Sequence, residues 1–244
     1  MKREYWLVLI VYIVMQLSSL IGVPLVLFIL KENGKTLSIA KQLAIPYWLI
    51  ISFSLALFII LFILRKEMRS TRSERKGSSL SKSILWAFFG VFIALFAQTL
   101  AANVEHLFGI QMGSENTQHI LQIINAYPLA ILVSSIIGPI LEEIVFRKIL
   151  FGSLYKRFNF FISAVISSFI FALAHMEPKH VLIYAAMGFT FAFLYVKTKH
   201  ILVPIFAHVA MNTLVVVVQS AFRDDIERVL RHAETIQHFI GGFI

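Results

Sequence analysis

Two adjacent acids, Glu142 and Glu143, stand in the apolar run 139-PILEEIVFRKILF-151, with Arg147 one turn further on. A charged group inside a membrane span costs roughly 2.5–3.5 kcal/mol on insertion scales, so Glu142, Glu143 and Arg147 in one apolar stretch need a reason, while Lys148 beside them can mark a helix end at the interface. Glu143 and Arg147 are four apart, share a helix face and can neutralise each other. Glu142 is turned about 100° around the helix and has no such partner, which leaves it to act on something else. Two further runs carry polar chemistry. The stretch 169-FIFALAH-175 ends on His175, and 201-ILVPIFAHVAMNTLVVVV-218 places His208 and Asn212 four apart on one face.

A carboxylate stripped of water is a stronger base, and Glu142 or Glu143 is the candidate to take a proton from a water molecule. His175 can share that water, while His208 and Asn212 can donate hydrogen bonds to the oxyanion of a tetrahedral intermediate. The reaction such a set fits is amide hydrolysis. A metal centre is the alternative: Glu142, His175 and His208 are a donor set suited to a divalent ion such as zinc with a fourth position open to water. The residues leave the choice between a metal and a metal-free mechanism open. No H-E-x-x-H run is present, which excludes the compact zincin arrangement. There is no Cys, and none of Ser134, Ser135, Ser163, Ser167 or Ser168 has a G-x-S-x-G setting, so a serine or cysteine nucleophile is not indicated.

The elements that must position these residues are membrane helices. The 244 residues are 59% hydrophobic and 14% charged, with a mean hydropathy of +0.82, far from the composition of a soluble domain. About seven spans (six to eight) are expected, near 5–30, 45–64, 84–104, 124–147, 159–176, 181–197 and 201–219, each about the 20 residues that cross a bilayer. The fold expected is therefore an all-α polytopic helical bundle forming a single membrane domain over 1–244. Its parts are N-terminal spans over 1–117, a catalytic core over 118–217 and a tail over 218–244. In that tail Phe222, Ile226, Val229, Ala233, Ile236 and Ile240 recur at helical spacing, the pattern of an amphipathic helix. Arg65–Ser83 reads as a polar linker. The first apolar run is too long for a cleaved signal peptide and reads as a retained span.

Spacing also predicts that the polar residues meet. Positions 142 and 175 are equidistant from the polar stretch 156-KRFN-159. If that is a hairpin tip, both lie roughly 25 Å along their helices at 1.5 Å per residue, and the fourth span runs past Arg147 towards Tyr155. Gly138-Pro139, one turn before the acids, is a place to break the helix and open space. The net charge of +9 comes from Lys and Arg gathered in loops and does not imply nucleic acid. Placing the N-terminus in the cytoplasm puts 15 of the 22 basic residues inside, as the positive-inside rule requires.

Taken together, Glu142-Glu143-x-x-x-Arg147, Phe171-x-x-x-His175 and His208-x-x-x-Asn212 resemble the three motifs of the CAAX-protease and bacteriocin-processing membrane proteins (the CPBP or Abi family), in order and on separate spans. The resemblance covers about residues 120–217. It implies an intramembrane endopeptidase that cleaves a membrane-associated peptide or protein. The bacterial settings it implies are peptide maturation, pheromone processing and bacteriocin immunity, and the Ile/Phe/Lys-rich chain looks like one from a Gram-positive cell membrane. By the same analogy Glu142 activates water beside His175, Glu143, Arg147 and Phe171 support the site, and His208 and Asn212 hold the oxyanion. The competing reading is a non-enzymatic membrane scaffold or immunity protein of the same fold. A proton-coupled carrier would show inverted repeats, and the sequence has none.

Overall fold

The computed structural model describes residues 1–74 and 78–222, and among them every regular element is helical. Helices α1 (Arg3–Leu17) and α2 (Ser19–Glu32) form one apolar run bent by 47°. The bend sits at Ser18, whose hydroxyl donates to the Met15 carbonyl at 2.6 Å and accepts from the Trp48 indole at 3.1 Å. A side chain bonded back into the preceding turn is a recognised cause of helix bending. Helix α3 (Leu37–Glu74) is longer than its apolar run. The linker expected from Arg65 is thus helical as far as Glu74, because Arg, Lys and Glu are good helix formers. Helix α4 (Leu80–Leu107) follows, then the short α5 (Glu115–Ala126), capped by Ser114 accepting from the Thr117 N–H. Tyr127 precedes Pro128 and takes an extended backbone, which ends α5.

Residues 130–154 form one interrupted helix, α6. Five residues, Val133–Ile137, and nine, Glu143–Phe151, are wound as π-helix around a short α turn, Gly138–Glu142. The expected break at Gly138-Pro139 thus takes the form of a widened turn. The Gly138 N–H reaches back five residues to the Val133 carbonyl. By the same pattern the Ser134 carbonyl would need the N–H of Pro139, which has none. A Cβ on Gly138 would lie 3.0 Å from the Val133 carbonyl oxygen, so the close backbone approach suits glycine. The helix does continue past Arg147, to Leu154.

Helices α7 (Phe160–Ala174), α8 (Val181–Thr198) and α9 (Leu202–Ala221) complete the described chain. Helix α8 is the central one: 44% of its span is enclosed by protein, against 22% for α3 and for α4. It packs on α4, α6, α7 and α9. Close approach to α7 is permitted by Gly188, where a Cβ would meet the Ser168 side chain at 2.8 Å, the small-residue contact typical of membrane helices. One buried cluster runs through α1, α3, α4, α6, α7, α8 and α9. Large apolar side chains such as Leu20, Ile21, Phe92 and Phe96 face outward, which suits lipid rather than water.

Of the seven expected spans, four helices (α3, α4, α8 and α9) are long and apolar enough to cross a membrane, and five if the bent α1–α2 pair is one span. The other two, α6 and the 15-residue α7, are the pair that carries Glu142, Glu143, Arg147 and Phe171. Of the expected amphipathic tail, α9 accounts for residues up to Ala221, and 223–244 lie outside the described residues.

Candidate active site

Glu143 and Arg147 are both fully buried, at 0% and 1% exposure. The Arg147 Nε lies 3.3 Å from Glu143 Oε2. Its guanidinium carbon is 4.2 Å from the centre of the Phe171 ring and 5.4 Å from that of Phe191, so the cation is held by one carboxylate and two aromatic faces. The other Glu143 oxygen, Oε1, accepts from His208 Nδ1 at 2.9 Å. Glu143 is therefore occupied on both sides. Glu142 is half-buried, with a fifth of its side chain exposed, and lies 3.7 Å from His208 Nε2. The two adjacent acids are thus sharply distinguished. Glu143 is an internal strut, and Glu142 has an open face.

His175 ends α7. Its Nδ1–H donates to the Phe171 carbonyl at 2.8 Å, which leaves Nε2 free to face the site. Tyr184 stacks on its ring at 4.0 Å and 25°, and Phe171 meets it edge-on at 4.5 Å. His208 has a matching cover: Phe191 stacks on it at 4.6 Å and 22°. Asn212 lies one turn beyond His208 and is half-buried. Its side-chain amide donates to the Ser134 carbonyl at 3.5 Å, the oxygen that Pro139 cannot serve. The structure thus brings together Glu142, Glu143, Arg147, His208, Phe171 and His175, and places Asn212 at the edge of that group against α6.

Three residues of this site were not expected from sequence. Tyr184 and Phe191 are seven apart on one face of α8, yet α8 also holds Phe189, Phe193 and Tyr195, so the spacing did not stand out. Tyr12 comes from α1. Its ring packs edge-on against Phe146 at 5.8 Å, and its hydroxyl accepts from Gln16 at 3.3 Å. Nothing in the first span marks it.

A metal would need at least three donors converging on a point. Among the described residues no group of three or more His, Asp or Glu side chains has that arrangement. Glu142, His175 and His208 as placed do not fit a metal ligand set.

The family model for type II CAAX prenyl endopeptidase, Rce1-like, matches residues 124–214, a segment holding Glu142, Glu143, His175, His208 and Asn212. YdiL of Bacillus subtilis, which carries the name of a membrane peptidase, is 48% identical over 244 residues, 99% of both chains. The chain belongs to this family of membrane proteases. A second relative, the membrane-embedded CAAX protease MroQ of Staphylococcus aureus, is 32% identical over 240 residues, 95% of each chain. No solved structure matches the chain. Family membership and the outward apolar surface together make this a multi-pass, membrane-embedded protease.

Proposed function

We propose that this protease is an endopeptidase that hydrolyses a membrane-associated peptide or protein with a water molecule activated by Glu142. The observation that carries the reading is the contrast between the two acids: Glu143 spends both oxygens on Arg147 and His208, and Glu142 keeps an open face. Glu142 takes the proton from water as general base, and His175, with Nε2 free, orients the same water. His208 donates a hydrogen bond from Nδ1 to Glu143, so donation from Nε2 requires the ring to carry a second proton. Nε2 faces Glu142 at 3.7 Å. His208 Nε2 and the Asn212 amide then receive the oxyanion. Glu142 returns its proton to the leaving amine, and every step uses residues of this chain.

In the membrane, we place the N-terminus in the cytoplasm. The Lys2–Glu67–Lys148 cluster, with Lys2 and Lys148 3.2 and 3.0 Å from Glu67, then marks the cytoplasmic end. The corner at 175–183 lies at the outer end. The substrates assigned are small membrane-associated precursors, in peptide maturation, pheromone processing or bacteriocin immunity of a Gram-positive cell. The relatives from Bacillus and Staphylococcus support that setting.

The test is cleavage of membrane-associated peptides by purified protein in detergent, wild type against Glu142→Gln, each with and without chelator. Loss of one general base is expected to reduce cleavage by about 10²–10⁴-fold with unchanged accumulation of protein, and chelator is expected to have no effect. A Glu142→Gln variant that still cleaves would sink the assignment. Cleavage lost to chelator in wild type would replace activated water with a metal.

A further inference from the structure

Outside the ionic centre, polar groups gather at the α7–α8 corner. Helix α7 stops at His175, and Met176 takes a left-handed backbone with φ of 55°, uncommon for a side-chain-bearing residue. That reversal turns Glu177 back towards α8. The Tyr184 hydroxyl donates to Glu177 Oε2 at 2.7 Å, and the Ser114 hydroxyl donates to the same oxygen at 2.7 Å. Glu177 Oε1 accepts from the Glu115 N–H at 2.7 Å. Both Glu177 and Tyr184 are buried. From α4, Glu105 clamps the other side of the corner. It accepts from His180 Nδ1 at 2.7 Å and from the Leu182 and Ile183 N–H groups at 3.0 and 3.2 Å.

These bonds form a chain with a direction. Ser114 and the first turn of α5 fix the Glu177 carboxylate, Glu177 fixes the Tyr184 phenol, and the phenol ring covers one face of His175. The hydrogen bond from Nδ1 to Phe171 leaves the imidazole free to tilt about that contact, and the stacked ring removes the tilt.

We propose that Tyr184 and Glu177 are positioning residues for His175, and that α5 completes the site through Ser114. The proposal rests on the reading of His175 as the histidine that orients the attacking water. It also gives a role to Ser114 and α5, most of which precedes the segment 124–214 that the family model covers. Neither Tyr184 nor Glu177 needs to touch the substrate, so their loss should act on kcat and leave KM in place. Tyr184→Phe keeps the ring and loses one hydrogen bond, and kcat should fall about 3–10-fold. Tyr184→Leu loses the stack as well, and about 30–100-fold is expected. Glu177→Gln and Ser114→Ala should fall between wild type and Tyr184→Leu.

The deciding measurement is made on the full chain in detergent with labelled histidine. The His175 ring resonance, assigned by its disappearance in His175→Asn, should lie upfield in wild type because of the Tyr184 ring current. It should move downfield in Tyr184→Leu and part of the way in Glu177→Gln, while the His208 resonance stays in place. A His175 resonance that does not move in either variant overturns the proposal. So does a moved resonance with wild-type kcat. Persistent cleavage by His175→Ala overturns the parent reading as well, a result distinguishable because the resonance shifts are independent of activity.

Discussion

His208 and His175 lie in two differently built regions. His208 is 2% exposed and set in a buried ionic centre, with Glu143, Glu142 and Arg147 around it and Phe191 over its ring. His175 is half-buried at a helix end, where its nitrogen contact is a backbone carbonyl and its ring lies under a phenol. In the first region position is held by charges that need one another. In the second it is held by a relay of hydrogen bonds through Tyr184, Glu177 and Ser114. Removing one buried charge leaves the others uncompensated, which is costly. Removing one donor of the relay leaves Glu177 its remaining hydrogen bonds, so geometry loosens before stability falls.

The sharpest way to break that comparison is Arg147→Met. It keeps most of the side-chain volume and leaves Glu143 buried without its cation. A destabilisation of about 3–5 kcal/mol is expected, read as a lowered melting temperature in detergent. Adding Glu143→Gln to the same chain should recover part of the loss. A single variant that melts with wild type would mean that the centre is not held by charge. Next in size is Phe191→Leu, which removes the stack on His208 and one aromatic face from Arg147. About 1–2 kcal/mol of stability is expected to go, with kcat about tenfold lower. Unchanged values would assign Phe191 to packing alone.

Much of the ionic centre was legible in the sequence, because burying charge is expensive and its pattern is therefore conspicuous. Glu143 and Arg147 four apart announced their pairing, and Glu142 announced its lack of a partner. The equal distances of Glu142 and His175 from the 156–159 turn predict that they lie at one depth, and the structure sets the ring of Phe171, whose carbonyl accepts from His175, 4.2 Å from the Arg147 guanidinium carbon on the helix that carries Glu142. The relay was not legible. Ser114, Glu177 and Tyr184 are ordinary residues for loops and apolar helices, and only the left-handed turn at Met176 brings them into line. The π-helical winding of α6 was hidden too. Gly138-Pro139 showed where the helix would yield, but a missing N–H does not say whether the chain kinks or widens. The same widening frees the Ser134 carbonyl for Asn212, a contact that sequence spacing does not encode.

Tyr12 sharpens the comparison from the side of α1. Its ring packs on Phe146 and its hydroxyl accepts from Gln16 with no ion involved, so Tyr12→Phe should behave like a change in the relay. The loss expected is about 1 kcal/mol, with the Gln16 amide left without its acceptor. Thermal melting of Tyr12→Phe beside Tyr12→Phe/Gln16→Leu checks the coupling. If the second change restores stability, the cost was the orphaned amide. A loss the size of that in Arg147→Met would place Tyr12 among the groups that hold the charges.

The smallest effect at neutral pH, and the most informative below it, belongs to Glu177. Burial pushes its carboxyl up, but hydrogen bonds from Tyr184, Ser114 and the Glu115 and Asn116 N–H groups outweigh burial and hold it below the ordinary 4.5. A carboxyl depressed in the folded state stabilises at pH above its unfolded value, and that stabilisation is lost as pH falls through the folded value. The attachment of α5 should therefore be constant from about pH 8 to pH 5 and should weaken only below the usual carboxylate range. Hydrogen exchange at the Glu115 and Asn116 N–H groups, corrected for the intrinsic effect of pH, reads this directly. In Glu177→Gln the same groups should exchange faster at neutral pH and show no further loosening in acid. If instead protection in wild type falls between pH 7 and 5, a histidine controls the corner. His180, bonded to Glu105 on its other side, is then the group to replace.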